Sequence, residues 1–505
     1  MVNYQFTEGT ICAPATIPGT GAISIIRVSG KESLAIADKI IDLKGESLSE
    51  TEGYRLRYGT VFATDGSVLD NVIVSVFRAP HSYTGENSVE ISCHASRFIV
   101  NAILELLVNA GARIAAPGEF TRRAFVNGKM DLAQAEAVAD VIASQSAASH
   151  KVAMNQLKGG FSSELKVLRD KLLKMTSLLE LELDFSEEDV EFASRSELGA
   201  LVNEALSHIG RLTDSFSRGN AIKNGVPVVI VGATNTGKST LMNALLGEDR
   251  AIVSDIAGTT RDTIEEMLNL GGVMFRFIDT AGIRETDEIV EKIGIERTFK
   301  KMDEASIVLG MTDLSRGENS VLADAEYIWD KVNACGARRE FLLLVNKCDV
   351  DESESVMAGE GHVSGYAGTG FTETGSGAGS ADKTGKMARV EAALREKGIS
   401  AKLIPISAKT GYGLTVLTEA LAEIGRRITG DTDETLVTNI RHYEALVRAA
   451  TALGRVRDGL QVATLPPDLI AQDLREALYH LGEIVGEIST EEVLGNIFRN
   501  FCVGK

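Results

Sequence analysis

Hydrophobic positions change their period along the chain. In residues 1–120, short β-rich runs at 22–28, 72–77 and 89–93 alternate with Gly/Pro turns and one helical segment near 97–110. This predicts an α/β domain over 1–120. From 121 the pattern is helical. No Gly or Pro falls between 161 and 198, and Leu165, Leu168, Leu172, Met175, Leu179 and Leu183 recur at three- and four-residue steps, one face of a helix in a bundle. Over 226–425 β-runs alternate with helical runs: VPVVIVG then KSTLMNALLG, MFRFIDT, ASIVLGMTD, FLLLVNK and KLIPIS. That alternation predicts a parallel sheet with crossover helices. Over 429–505 a second helical stripe runs through Ile470, Leu474, Leu478, Leu481, Val485 and Ile488.

Neither helical segment has enough stripes for a bundle alone. The economical arrangement is one discontinuous all-α domain, made from 121–222 and 429–505, with an α/β module at 223–428 inserted between its halves. Residues 351–388 are rich in Gly, Ser, Thr and Ala and poor in large apolar side chains. They read as a flexible, low-complexity surface insertion, because burial there cannot offset ordering entropy.

Composition narrows the class. Apolar residues at 44% and charged residues at 24% describe a globular protein and exclude disorder as a class. A net charge of −19 argues against a surface that coats nucleic acid as a whole, so any RNA contact is local or made through a partner. Cys12, Cys93, Cys335, Cys348 and Cys502 are scattered, which argues against structural zinc or a disulfide framework. The N-terminus lacks the pattern of a signal peptide, and no apolar run approaches the roughly 18–20 residues that span a bilayer. A cytoplasmic protein with no membrane span is expected.

The chemistry lies in 232–409. Gly232-Ala-Thr-Asn-Thr-Gly-Lys-Ser239 matches G-x-x-x-x-G-K-S between a strand and a helix. Such a loop wraps phosphate with backbone N–H groups. Lys238 supplies positive charge to the β- and γ-phosphates, and Ser239 offers a hydroxyl to Mg²⁺. Asp279-Thr280-Ala281-Gly282 follows the next strand. There Asp279 would hold Mg²⁺ through water and Gly282 would sense the γ-phosphate. Gly258-Thr259-Thr260 lies between these motifs, with Thr260 placed to complete the Mg²⁺ shell. Asn346-Lys347-Cys348-Asp349 ends a strand, and the carboxylate of Asp349 can accept from both N1–H and the 2-amino group of guanine, a donor pair that adenine lacks. Ser407-Ala408-Lys409 would close over the base. The position after D-x-x-G is Ile283, which cannot orient water. Glu285, Asp287, Glu288 and Glu291 are the acidic candidates downstream.

With these residues in view the chain resembles the MnmE/TrmE family of tRNA-modification GTPases over nearly its whole length. The resemblance is carried by APATIPGTGAISIIRVSG, SYTGENSVEISCHAS, APGEFTRRAFVNGKMDLAQAEAVADVI, IAGTTRD, DTAGIRET, VEKIGIER and the terminal FCVGK. It implies an N-terminal α/β dimerisation domain, a split helical domain and an inserted Ras-like GTPase domain that binds GTP through 235–240, 254–260, 279–282, 346–349 and 407–409, Thr236, Gly237, Thr240, Asp255 and Ala257 among them. It implies a 5-formyl-tetrahydrofolate-type one-carbon carrier held by Arg27, Glu90, Lys129 and Lys505. It also implies K⁺ ligated by Asn235, Ser254, the Ile256 backbone and Thr259, with Glu291 orienting water. The implied partners are tRNA, a second copy of the chain joined through the N-terminal domain, and an FAD-containing protein with which that homodimer forms a heterotetramer; the assembly modifies carbon 5 of the wobble uridine of certain tRNAs. Cys502 is the family's C-terminal cysteine and a candidate catalytic residue. Thr234 departs from a family proline, and Ser254 from a frequent threonine. Two other classes remain open on the residues: a ribosome-assembly or RNA-binding regulatory GTPase, and a folate-dependent one-carbon transferase with a regulatory G domain.

Overall fold

A computed structural model of the chain describes residues 9–184, 195–248, 265–278, 302–334, 339–349, 379–399, 401–430, 434–462, 466–488, 491–499, 501 and 504. They fall into two compact units. The first comprises Met1–Ala143, Val152–Asp214 and Asn439–Lys505; the second comprises Ser144–Lys151 and Ser215–Thr438.

The first unit opens on strands β1 (Ile11–Pro14), β2 (Ile23–Ser29), β3 (Ile41–Asp42), β4 (Arg55–Phe62), β5 (Val68–Phe77), β6 (Ser88–His94) and β7 (Arg113–Ile114). They form one sheet in the order β3-β4-β5-β6-β2-β1-β7. Strict alternation on β5 puts Val72, Val74 and Val76 inside, against the helices Ser33–Ile40 and Arg97–Asn109. The three predicted runs are β2, β5 and β6. The pattern of β4 concealed it: Leu56 and Tyr58 face outward, at 65% and 61% exposure, while the buried positions are Gly59 and Val61.

Helices complete this unit. In Gly160–Asp184 the stripe Leu165, Leu168, Leu172, Met175 and Leu179 is buried as expected, and the side chain of Leu183 lies outside the described residues. Ile470, Leu474, Leu478 and Leu481 are buried in Pro467–Val485. The last two members of that stripe need correction. The helix stops before Gly486, Ile484 takes the buried position, Val485 is half-buried and Ile488 is exposed beyond the end. Three helices meet at a buried ionic joint. Arg441 Nε and Nη2 each donate to Glu136 at 3.0 Å, His442 Nε2 lies 2.6 Å from Glu136 Oε2, and Arg441 Nη1 donates to the carbonyl of Glu483 at 2.7 Å. Helix Leu132–Ala143 thereby locks to Ile440–Gln461 and Pro467–Val485.

In the second unit β8 (Val226–Gly232), β9 (Glu266–Leu270), β10 (Val273–Phe277), β11 (Ile307–Asp313), β12 (Glu340–Asn346) and β13 (Lys402–Pro405) pair in the order β13-β12-β11-β8-β10-β9. All pairings are parallel except β9 with β10, so the sheet is the mixed Ras-like one rather than wholly parallel. The exception follows from Gly271-Gly272. Both have positive φ (59° and 85°), the geometry of a tight two-residue hairpin turn. The central strands are buried on both faces and read as continuous apolar runs.

The insertion is shorter at its C-terminal end than the composition suggested. A helix runs Gly379–Glu396, so 379–388 belong to an element anchored by buried Val390 and Leu394; 350–378 lie outside the described residues. No described helix is long and apolar enough to cross a membrane.

Candidate functional site

The C-terminal ends of β8, β12 and β13 carry three loops that meet. The phosphate loop leaves β8 and ends in helix Lys238–Glu248. Asn346, at the end of β12, is the joint. Its Nδ2 donates to the Thr236 carbonyl at 2.7 Å, and its Oδ1 accepts from Ala408 N–H at 2.9 Å. One buried amide therefore satisfies backbone groups of both the phosphate loop and the Ser407-Ala408-Lys409 turn. Thr236 is fully buried and its hydroxyl donates to the Ala233 carbonyl at 2.8 Å. A Cβ at Gly237 would collide with Asn346 Nδ2, so the loop can lie this close only with hydrogen at that position.

Lys238 Nζ donates to the carbonyls of Gly232 and Ala233, at 2.9 and 2.8 Å. Burial holds its pKa below the ordinary lysine value. An ammonium set over backbone oxygens, with no carboxylate partner among the described residues, suits a polyphosphate, whose charge would reverse that shift. Asn235 stands in the left-handed region at φ 61°, exposed on the loop's outer edge. Ser239, second in the helix, is half-buried, and Thr240 follows exposed.

On the base side, Lys347 is also left-handed (φ 62°), and Cys348 N–H donates to the Ile406 carbonyl at 3.2 Å, joining the β12 and β13 loops. Asp349 and Lys409 are exposed beside the buried Ser407 and Ala408. Asp313 and Arg316 escaped the sequence reading. Asp313 accepts from Lys347 Nζ at 2.6 Å, and Arg316 Nη2 donates to the Thr234 carbonyl at 3.0 Å. The available signal was Asp-Leu-Ser after an apolar strand, an Asx cap in which Asp313 accepts from Ser315 N–H at 3.0 Å. Ser254, Asp255, Ile256, Ala257, Gly258, Thr259, Thr260, Asp279, Thr280, Ala281, Gly282 and Glu291 lie outside the described residues, as do Cys502 and Lys505.

A second cluster forms in the first unit. Arg27 and Glu90 face each other across β2 and β6, with Arg27 Nε and Nη2 at 2.9 and 2.8 Å from Glu90 Oε1. The guanidinium lies 5.2 Å from the Tyr83 ring centroid and 5.6 Å from that of Phe120. Its Nη1 reaches the carbonyl of Gly504 at 3.5 Å, so Gly504 returns to the β2 strand. Phe498 and Phe501 pack with Leu132 and Ala135 and fix that return. Tyr83 and Phe120 carry no motif and had no assigned role. Lys129 sits apart, exposed, its Nζ donating to the Pro80 carbonyl at 3.0 Å in the loop that leads to Tyr83. A cation stacked on two rings beside a carboxylate fits a flat heteroaromatic ligand with donors on its edge.

The strand order, the phosphate loop and the asparagine that joins it to two base loops define a P-loop nucleotide-binding protein of the GTPase class. Residues 132–502 match the family description "MnmE helical domain", and residues 10–129 match "GTP-binding protein TrmE N-terminus". Proteins named tRNA modification GTPase MnmE align over almost the whole length. That of Parabacteroides distasonis is 48% identical over 98% of this chain and 100% of its own. Those of Bacteroides fragilis and Flavobacterium johnsoniae are 47% and 45% identical, each over 99% of this chain and 100% of their own. The chain belongs to the MnmE family. Among solved structures, Aquifex aeolicus Era aligns at 22% identity over 45% of this chain and 66% of that one, with a TM-score of 0.26, and adds nothing to the fold read from the strand order.

Proposed function

We propose that this chain hydrolyses GTP in the service of tRNA modification, altering carbon 5 of the wobble uridine with a tetrahydrofolate one-carbon unit and an FAD-containing partner. The observation that carries the nucleotide part is the Asn346 bridge, which brings the phosphate loop and both base loops to one sheet end. Phosphate-loop N–H groups and Lys238 take the polyphosphate. Ser239 and Thr260 hold Mg²⁺, and Asp349 reads guanine. Asn235, Ser254, the Ile256 backbone and Thr259 hold K⁺, which supplies positive charge to the transition state where no arginine finger is evident. Glu291 orients the water that Ile283 cannot.

In the first unit Arg27, Glu90, Lys129 and Lys505 hold the folate, with Cys502 as the candidate catalytic residue. The closure of the chain's end over Arg27 supports this, since a one-carbon intermediate needs shelter from water. The outer face of the sheet supports a homodimer. Leu56, Tyr58 and Ile73 form an exposed apolar patch on the same face as Arg27 and Glu90, where a second copy would bury them.

Mass spectrometry of wobble nucleosides from a strain lacking the gene, with and without complementation, tests the whole reading. Unmodified wobble uridine should accumulate only in the gene's absence, and an unchanged nucleoside profile would overturn the reading. GTP hydrolysis compared in KCl and NaCl at equal ionic strength tests the cation: equal rates would remove it. In the same assay Glu291→Ala should lower turnover with nucleotide binding nearly intact.

A further inference from the structure

Asp313 ends β11 with its side chain 2% exposed, yet it carries a charge. Oδ2 accepts from Lys347 Nζ at 2.6 Å, and Oδ1 accepts from Ser315 N–H and Oγ at 3.0 and 2.6 Å. Burial pushes this carboxyl's pKa up, but the bonds from Lys347 and Ser315 outweigh it and hold the group below its ordinary value. Arg316, one short turn later, has Nε 3.8 Å from Asp313 Oδ2 and donates from Nη2 to the Thr234 carbonyl. The contacts run without a gap from phosphate loop to base loop: Thr234, Arg316, Asp313, Lys347. Lys347 needs such support. A left-handed non-glycine residue persists only where its surroundings hold it. Asn346, the preceding residue, is anchored to the Thr236 carbonyl, and Asp313 anchors the side chain of Lys347 itself.

We propose that Asp313 and Arg316 are positioning residues that couple the base loop to the phosphate loop and thereby set how long a guanine nucleotide stays bound. The inference rests on the nucleotide-binding reading above and adds the residues that govern release. Neither residue belongs to a phosphate or base motif. Asp313 acts through Lys347, and Arg316 acts through the Thr234 carbonyl. Loosening either end lets the two loops part independently, which raises the dissociation rate more than it lowers the association rate.

The test uses the full-length protein and mant-GDP, chased with excess GDP in stopped flow, beside steady-state GTP hydrolysis. Asp313→Asn keeps the shape and the Ser315 bond but loses the charge that holds Lys347. It should speed release about tenfold, the scale of one hydrogen bond to a charged group. Lys347→Met should do the same, and the double variant should release no faster than the faster single one, because both cut one connection. Arg316→Ala should speed release severalfold, with part of the loss restored by Arg316→Gln, whose amide can still donate to Thr234. In the Asp313 and Arg316 variants KM for GTP should rise in parallel, with kcat at saturation within about twofold of wild type. A merely structural role would lower the active fraction and kcat and leave the release rate alone. Arg316 is 42% exposed, so its variants keep the test decisive if Asp313→Asn fails to fold. Wild-type release rates in the variants, or full additivity in the double variant, would overturn the coupling alone. A wild-type protein that binds no mant-GDP would overturn the proposed function and the coupling with it.

Discussion

The nucleotide end of the second unit draws its parts from strand ends of a single sheet, whereas the Arg27 cluster of the first unit gathers Arg27, Glu90, Tyr83, Phe120 and Gly504 from two strands, a loop, a helix and the end of the chain. In the first case each loop is a contiguous run whose chemistry is local, and tertiary structure has only to bring neighbouring strands into register. In the second no run of residues has a chemistry of its own. The cation, the carboxylate and the rings become a site only when a sheet, a helix and the returning tail close on each other. A locally built site should tolerate damage elsewhere, and a gathered one should fail when any contributor moves.

The largest effect is expected at Asp349. Asp349→Asn removes two charge-assisted acceptor positions from guanine and should cost about 3–4 kcal/mol of GTP affinity, several hundredfold, with part of the preference passing to xanthosine triphosphate. Titration with both nucleotides measures it, and unchanged GTP affinity would break the assignment of the base loop. Folate binding by the same variant should be normal.

Next comes the joint beneath the gathered site. Burial pushes Glu136 up, but His442 and Arg441 outweigh it and hold its pKa at about 2, against an ordinary value of 4.5. A depressed carboxylate contributes stability in full above the unfolded value and loses it as pH falls from about 4.5 toward about 2. The contribution is roughly 3 kcal/mol. Glu136→Gln should therefore lower the urea midpoint of the first unit at pH 7, by an amount that shrinks below pH 4. Mant-GDP affinity should stay put; if it falls as well, the two units are not separable in this sense.

A smaller effect is expected at the cluster itself. Arg27→Ala should weaken 5-formyl-tetrahydrofolate by about 2 kcal/mol, near thirtyfold, since Glu90 loses its partner and the rings lose their cation. Calorimetric titration reads it, with GTP hydrolysis in KCl as the control. Gly504→Ala should do least, perturbing folate binding by roughly 1–2 kcal/mol. Gly504 holds φ 100° and a Cβ there would collide with the Pro14 carbonyl, so the tail must shift. Wild-type folate affinity in Gly504→Ala would show that the tail packs beside the cluster without shaping it.

Legibility followed the same division. The strands bearing the G-domain motifs were readable because β8, β11 and β12 are buried on both faces and punctuated by glycine or polar loop residues. β9 was not readable, because a five-residue edge strand joined by Gly271-Gly272 carries too little pattern. β4 was hidden by an apolar outer face, with Leu56 and Tyr58 exposed. The end of the second helical stripe went astray because Ile488 keeps the period after the helix has stopped. Arg27, Glu90 and Lys129 could be singled out only through family resemblance, and of these the fold brings Arg27 and Glu90 together while Lys129 reaches only the neighbouring loop.

By itself the sequence determined what depends on short-range geometry: which runs become helix or strand, where glycine permits the chain to wrap phosphate, and which carboxylate can match the edge of guanine. Those preferences act over a turn or two, so they are written in consecutive residues. Only the tertiary structure decided what depends on burial and closure. It buried Asp313 beneath Lys347, sank Glu136 between Arg441 and His442, and carried Gly504 across 477 residues of chain to Arg27. The physical reason is that a charged group's partner and its solvation are set by whatever the fold places beside it, and no local pattern encodes a neighbour hundreds of residues away.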